Sequence, residues 1–168
     1  YPNRIIRIEN PLFHSILSES DVKDQLLYCF FGPLPIDKST VNVAVWRILY
    51  SAELIQKHTI RFPSERKFIS EDIIFNINYF SHCSRVCNIE NTGYYYCQNP
   101  DSLTEKYLSD RFDKGKMLYY EKRHLAESLN CLQHVQERLE TSFLQYSRYS
   151  LKLEIKYSRI NSLYTTLK

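Results

Sequence analysis

The stretch Ile60 to Phe80, I-R-F-P-S-E-R-K-F-I-S-E-D-I-I-F-N-I-N-Y-F, restricts the fold of this chain more than any other part of it. Ile73, Ile74, Ile77 and Phe80 recur at helical spacing, so the segment has to bury one face of a helix. Ser70 stands where that helix begins, and its hydroxyl suits an N-cap because it can accept from a free first-turn amide. Glu71 and Asp72 then occupy the first turn, against the positive end of the helix dipole. Asp72, Asn76 and Tyr79 fall together on another side. Such a pattern holds a carboxylate at the mouth of a helix fixed by a buried stripe, a common way of presenting a catalytic acid or base. Acids in a first turn are also ordinary capping, and the triplet Ser70-Glu71-Asp72 alone does not separate the two.

The chain of 168 residues is 43% hydrophobic with 3 Gly and 6 Pro, which indicates one compact unit and argues against disorder. Its 14 Tyr and 9 Phe serve core packing and stacking on sugar rings equally well. A net charge of +3 is too small to call for a nucleic-acid partner, and none is expected. Cys29, Cys83, Cys87, Cys97 and Cys131 form an odd set without a paired C-x-x-C repeat, so reduced thiols in a cytoplasmic protein are expected. His82, Cys83 and Cys87 lie close together, but buried thiols explain them without a metal. No apolar run approaches the roughly 18 residues needed to span a bilayer, and neither a membrane span nor a signal peptide is expected.

Taken in order, Arg4 to Ile8 reads as a short strand broken by Asn10-Pro11. Ser18 to Asp21 forms a capping-box pattern. Val22, Leu26, Cys29 and Phe30 follow at helical spacing, and Gly32-Pro33 stops that helix. Val41, Val43 and Val45 alternate with Asn42, Ala44 and Trp46, which predicts a strand running to about Tyr50. Ser51 to Lys57 reads as a short helix, and Ser64 to Lys67 as a loop after Pro63. Arg85 to Ile89 and Tyr94 to Cys97 flank Asn91-Thr92-Gly93 as a hairpin. Ser102 and Glu105 form another capping box, opening a helix expected to end near Asp113-Lys114-Gly115. From Lys116 on, Leu118, Leu125, Leu132, Leu139 and Tyr146 repeat every seven residues, with Leu129 and Phe143 between them. The pattern predicts one long amphipathic helix that docks on the domain or pairs with a second chain as a homodimer. Arg148, Lys152, Lys156, Arg159 and Lys168, set against Glu154 alone, would let the tail touch an anionic membrane surface.

One ordered series of motifs carries a resemblance. It runs Val45-Trp46-Arg47-Ile48-Leu49-Tyr50-Ser51-Ala52-Glu53-Leu54-Ile55, then Ile60-Arg61-Phe62-Pro63, then Glu71-Asp72-Ile73-Ile74-Phe75, then Gly93-Tyr94-Tyr95-Tyr96-Cys97 through Leu103. Over roughly Val41 to Leu108 this resembles the second half of the catalytic domain of family 2 glycosyltransferases with the GT-A fold, the bacterial capsule, exopolysaccharide and lipopolysaccharide type. The resemblance implies an α-rich α/β fold: the C-terminal, acceptor-side half of a GT-A domain over residues 1–114, with short strands and a hairpin, and a helical extension over residues 115–168. It implies Asp72 as general base, Glu71 orienting it or binding acceptor hydroxyls, and Trp46 and Tyr96 binding a glycan or lipid-linked acceptor. The loop before the acidic pair would place Arg66 or Lys67 on the rim of the same acceptor cleft, or is a solvated turn.

The chain departs from that family in places. Where the family carries Lys two residues after the Trp, Ile48 stands here, and Arg47 would point to the other face of a strand. Cys97 replaces the Arg of the family's Y-x-Y-R. No D-x-D is present to hold the divalent Mn or Mg expected in a full enzyme, and no long alternation of strands and helices provides a nucleotide-sugar half. The expectation is therefore an inverting transferase represented by its acceptor side, cytoplasmic or peripheral at the inner face of the membrane. The competing reading is a helical interaction module in which Glu71 and Asp72 only cap.

Overall fold

The computed structural model describes residues 16–34, 44–88 and 107–157. Over those residues the chain is helix-rich with one small sheet. The sheet pairs β1 (Ile16–Leu17) with β2 (Val86–Cys87) antiparallel, Ile16 opposite Cys87 and Leu17 opposite Val86. The expected strand at Arg4 to Ile8, the hairpin arm Tyr94 to Cys97, the capping box at Ser102 and the tail beyond Tyr157 lie outside the described residues.

α1 (Glu19–Asp21) opens with the expected capping box. Ser18 Oγ accepts from the Asp21 amide, and the Asp21 carboxylate accepts from the Ser18 amide at 3.0 Å. The chain widens into a π-helical segment at Val22–Leu26 before α2 (Leu27–Phe31). That phase shift lets Val22, Leu26, Leu27, Phe30 and Phe31 all reach the core. α2 ends at Gly32, whose φ of 150° puts it in a conformation that only glycine adopts comfortably. A Cβ there would lie 2.2 Å from the Arg138 carbonyl oxygen, so glycine is also required by space.

α3 (Ala52–Lys57) is capped by Ser51 Oγ, which accepts from the Leu54 amide. It ends in a Schellman turn: the Ile60 amide reaches the Ile55 carbonyl at 3.0 Å and the Thr59 amide the Gln56 carbonyl, with Thr59 at a φ of 52°. α4 (Glu71–Phe80) is the buried helix the sequence predicts, but it is buried nearly all round. Asn76 and Tyr79 are as inaccessible as Ile73, Ile74, Ile77 and Phe80. Phe80 stacks on Phe30 of α2 with ring centroids 5.0 Å apart.

The C-terminal region corrects two expectations. α5 (Arg111–Ser128) begins at Arg111 and runs straight through Asp113-Lys114-Gly115 without ending there. Packing decides this. Gly115 faces α6 at the crossing, its Cβ position 3.6 Å from Tyr146 Cβ, and burial of that face outweighs the roughly 1 kcal/mol intrinsic cost of a helical glycine. The single long helix is instead a hairpin of α5 and α6 (Leu132–Tyr157). A second Schellman turn separates them: the Cys131 amide bonds the Ala126 carbonyl at 2.9 Å and the Asn130 amide the Glu127 carbonyl at 3.1 Å, with Asn130 at a φ of 53°. Buried Ala126 and Cys131 supply the apolar contact that accompanies such a turn. The seven-residue seam thus closes inside the chain: Leu118 and Leu139 are buried, and Leu125, Leu132 and Tyr146 pack against the core. α2 touches both α4 and α6, and so joins the candidate site to the hairpin.

Candidate functional site

Asp72, Asn76 and Tyr79 occupy one stripe of α4, and the segment from Val45 to Ser51 is laid along it. The Val45 amide donates to Asp72 Oδ2 at 3.4 Å, and the Tyr50 hydroxyl to Asn76 Oδ1 at 2.6 Å. The Ser51 amide donates to the Tyr79 hydroxyl at 2.8 Å. Tyr50 stands edge-on to Phe75 and Tyr79, with centroids 5.3 and 4.7 Å away. Burial, helped by the negative charge of Asp72, raises the Tyr50 hydroxyl well above the usual phenol range and keeps it a donor. Burial likewise raises Tyr79.

This stripe corrects the reading of the preceding segment. Val45–Arg47 is a 3-10 turn, held by Arg47 N–H on the Ala44 carbonyl and Ile48 N–H on the Val45 carbonyl. A strand needs a neighbour to pair with, and the partner supplied at Val45 is a carboxylate. Without strand alternation, Arg47 does not point away from Trp46; its guanidinium lies 5.2 Å over the indole. Trp46 is half-buried and Leu49 is 94% exposed.

Ser70 precedes α4 as expected but caps it differently. Its carbonyl accepts from the Ile73 amide, while its hydroxyl pairs with the Tyr146 hydroxyl of α6 at 2.7 Å and makes no side-chain cap bond. Glu71 and Asp72 occupy the first turn, both half-buried. Of the expected site residues, Trp46, Glu71 and Asp72 are thereby brought to one end of α4. Arg66 lies in the exposed turn after Pro63, where its amide donates to Ser64 Oγ. Tyr96 lies outside the described residues.

Phe62 belongs to the motif Ile60-Arg61-Phe62-Pro63, which the sequence leaves without a role for this ring. It stacks on Phe75 at 3.9 Å with planes 4° apart and stays 51% exposed.

Among the described residues no group of three or more His, Cys, Asp or Glu is arranged to hold a metal ion. Cys83 is buried, with burial pushing its thiol up to about 11, whereas Cys87 is exposed on β2. The His82 ring stacks on His58 at 3.8 Å. Nor is any described helix long and apolar enough to cross a membrane.

The sequence reading also missed a buried cation. Lys122 of α5 donates to the carbonyl of Phe31, the last residue of α2, at 2.5 Å and to Ser142 Oγ at 2.8 Å. Beside it, Arg138 donates to the Gly32 carbonyl at 2.9 Å. Two cations of the hairpin thus meet the negative end of α2. This pair is scaffold, remote in the chain from Asp72.

No family model matches the chain, and no solved structure matches it. The uncharacterized glycosyltransferase EpsJ of Bacillus subtilis (strain 168) is 39% identical to it over 61 residues, which is 36% of this chain and 17% of that protein. The chain is therefore similar, over part of its length, to a short stretch of a protein named as a glycosyltransferase.

Proposed function

We propose that this chain belongs to a glycosyltransferase of the family 2, GT-A type and carries its acceptor side. The observation that supports the reading best is the bond from the Val45 amide to Asp72, which sets the turn bearing Trp46 against the first-turn carboxylate of α4. The partial similarity to EpsJ supports the reaction class. One carboxylate oxygen is held by the backbone, and no described residue donates to the other, so the group is oriented and still able to accept a proton. In the reaction proposed, an acceptor hydroxyl attacks the anomeric carbon in line, the bond to the nucleoside diphosphate breaks, and Asp72 takes the hydroxyl proton. The anomeric configuration inverts. Glu71 binds acceptor hydroxyls, and Trp46, backed by Arg47, offers a face to a pyranose ring. The described residues do not fit a divalent ion, and donor binding is assigned to residues beyond those described.

The competing reading, an interaction module built on the heptads, loses its main support where that seam closes between α5 and α6. The test is Asp72→Asn in the intact enzyme. Asn keeps an oxygen for the Val45 amide, so the melting temperature should hold while kcat falls roughly a hundredfold or more, the range for losing a general base. Turnover near that of wild type would leave Asp72 as an anchor for the Val45 turn and nothing else.

A further inference from the structure

One side of the second half of α6 carries exposed apolar side chains. Val135, Leu139, Ser142 and Ser150 are buried. At about 100° per residue, Leu144, Leu151 and Ile155 fall roughly half a turn round the helix from them. These three side chains are 61%, 61% and 59% exposed, unusual for aliphatic residues at such regular spacing. Arg148 lies within the stripe, and Lys152 and Lys156 follow on one flank, all exposed. On the other flank the Glu154 carboxylate accepts from the Tyr107 hydroxyl at 2.6 Å. Toward the start of α6 the same face carries Glu137 and Glu140, so apolar and cationic character coincide only in the last turns.

We propose that this face lies on an anionic lipid bilayer, with Leu144, Leu151 and Ile155 set into the boundary of the acyl chains and Arg148, Lys152 and Lys156 against the headgroup phosphates. Charge and area select this occupant. A parallel second copy would set Arg148 beside its own counterpart, and an antiparallel one that pairs Leu144 with Ile155 would set Arg148 against the partner copy's apolar Leu151. Three side chains also fall far short of the roughly 800 Å² per partner that a stable protein interface buries. A membrane surface needs only one apolar stripe flanked by cations, running here for about 17 Å along the helix axis. The stripe faces away from the α5 contact, so docking requires no rearrangement of the hairpin. The inference does not depend on the role of Asp72.

The test is co-sedimentation of the 168-residue chain with phosphatidylcholine vesicles, with and without phosphatidylglycerol. Binding is expected only to the anionic vesicles and should weaken with added salt. Arg148→Gln, Lys152→Gln and Lys156→Gln together should lower partitioning about a hundredfold, at about fivefold per cation. Leu151→Glu with Ile155→Glu should abolish it. Every altered side chain is exposed, so circular dichroism and melting temperature should stay at wild-type values in both variants. Equal binding to neutral vesicles, no binding to anionic ones, or indifference to both sets of substitutions would overturn the proposal. So would a dimer in sedimentation equilibrium that Leu151→Glu with Ile155→Glu dissolves while vesicles capture nothing, which would assign the stripe to a second copy.

Discussion

Lys122 allows the packing of the hairpin on α2 to be tested through pH alone. Its side chain is 2% exposed, it donates to Phe31 and Ser142, and no described carboxylate pairs with it. Burial therefore pushes its amine down from 10.5 to about 7. In the unfolded chain the amine titrates near 10.4. Between those values the unfolded state binds more protons than the folded state, so stability should rise with pH from about 7 upward, and below about 7 the full cost of the buried charge is present. Through the linkage relation, this one group should add on the order of 1–2 kcal/mol between pH 7 and 8.5. Lys122→Met fills a similar volume without a titrating group. It leaves the Phe31 carbonyl and the Ser142 hydroxyl short of a partner, at about 1 kcal/mol, but removes a buried charge, so near pH 7 the variant should be close to wild type in stability. Urea unfolding of both proteins near pH 7 and pH 8.5 reads the difference, since thiols that begin to titrate near 8.5 in the unfolded chain act alike on both proteins and cancel in the comparison. Parallel pH dependence in the two proteins would refute the reasoning, because the amine would then have to be solvated or paired.

Gly32→Ala should destabilise the chain by roughly 3 kcal/mol or more, since a methyl group would meet the Arg138 carbonyl at 2.2 Å on a backbone that disfavours it; denaturant midpoints measure this. Asn76→Ala should cost about 2 kcal/mol, because it strands the hydroxyl of half-buried Tyr50 and opens a gap in a helix face with no exposure at Asn76; thermal unfolding with Tyr50→Phe as second mutation shows whether the two losses overlap. Burial, and the neighbouring His58, hold the His82 imidazole below its usual range, so the stability it contributes is present above about pH 6.5 and is lost as pH falls through the lowered value. His58→Gln should shrink the acid-side drop in melting temperature, and an unchanged drop would show that His58 does not act on the His82 imidazole.

Much of the local architecture was legible in the residues because its causes lie within one helical turn. The capping box of Ser18 and Asp21, the stop at Gly32-Pro33, the cap at Ser51 and the buried period of Ile73, Ile74, Ile77 and Phe80 each depend on neighbours a few positions away. Even the stripe of Asp72, Asn76 and Tyr79 followed from period alone, though not what it holds. Which groups meet across the fold was decided by faces coming together. The Asp72 partner lies 27 residues off, and the Ser70 hydroxyl finds Tyr146 over a separation of 76, an attraction no local rule contains. A heptad of leucines has the same spacing whether it continues in one helix or folds back on itself. The left-handed turn at Asn130 chose the second, because closing α5 on α6 buries both halves of the seam within one chain. Lys122 reads as surface in any one-dimensional pattern. Its burial became tolerable only when the end of α2 presented a carbonyl to accept its hydrogen bond.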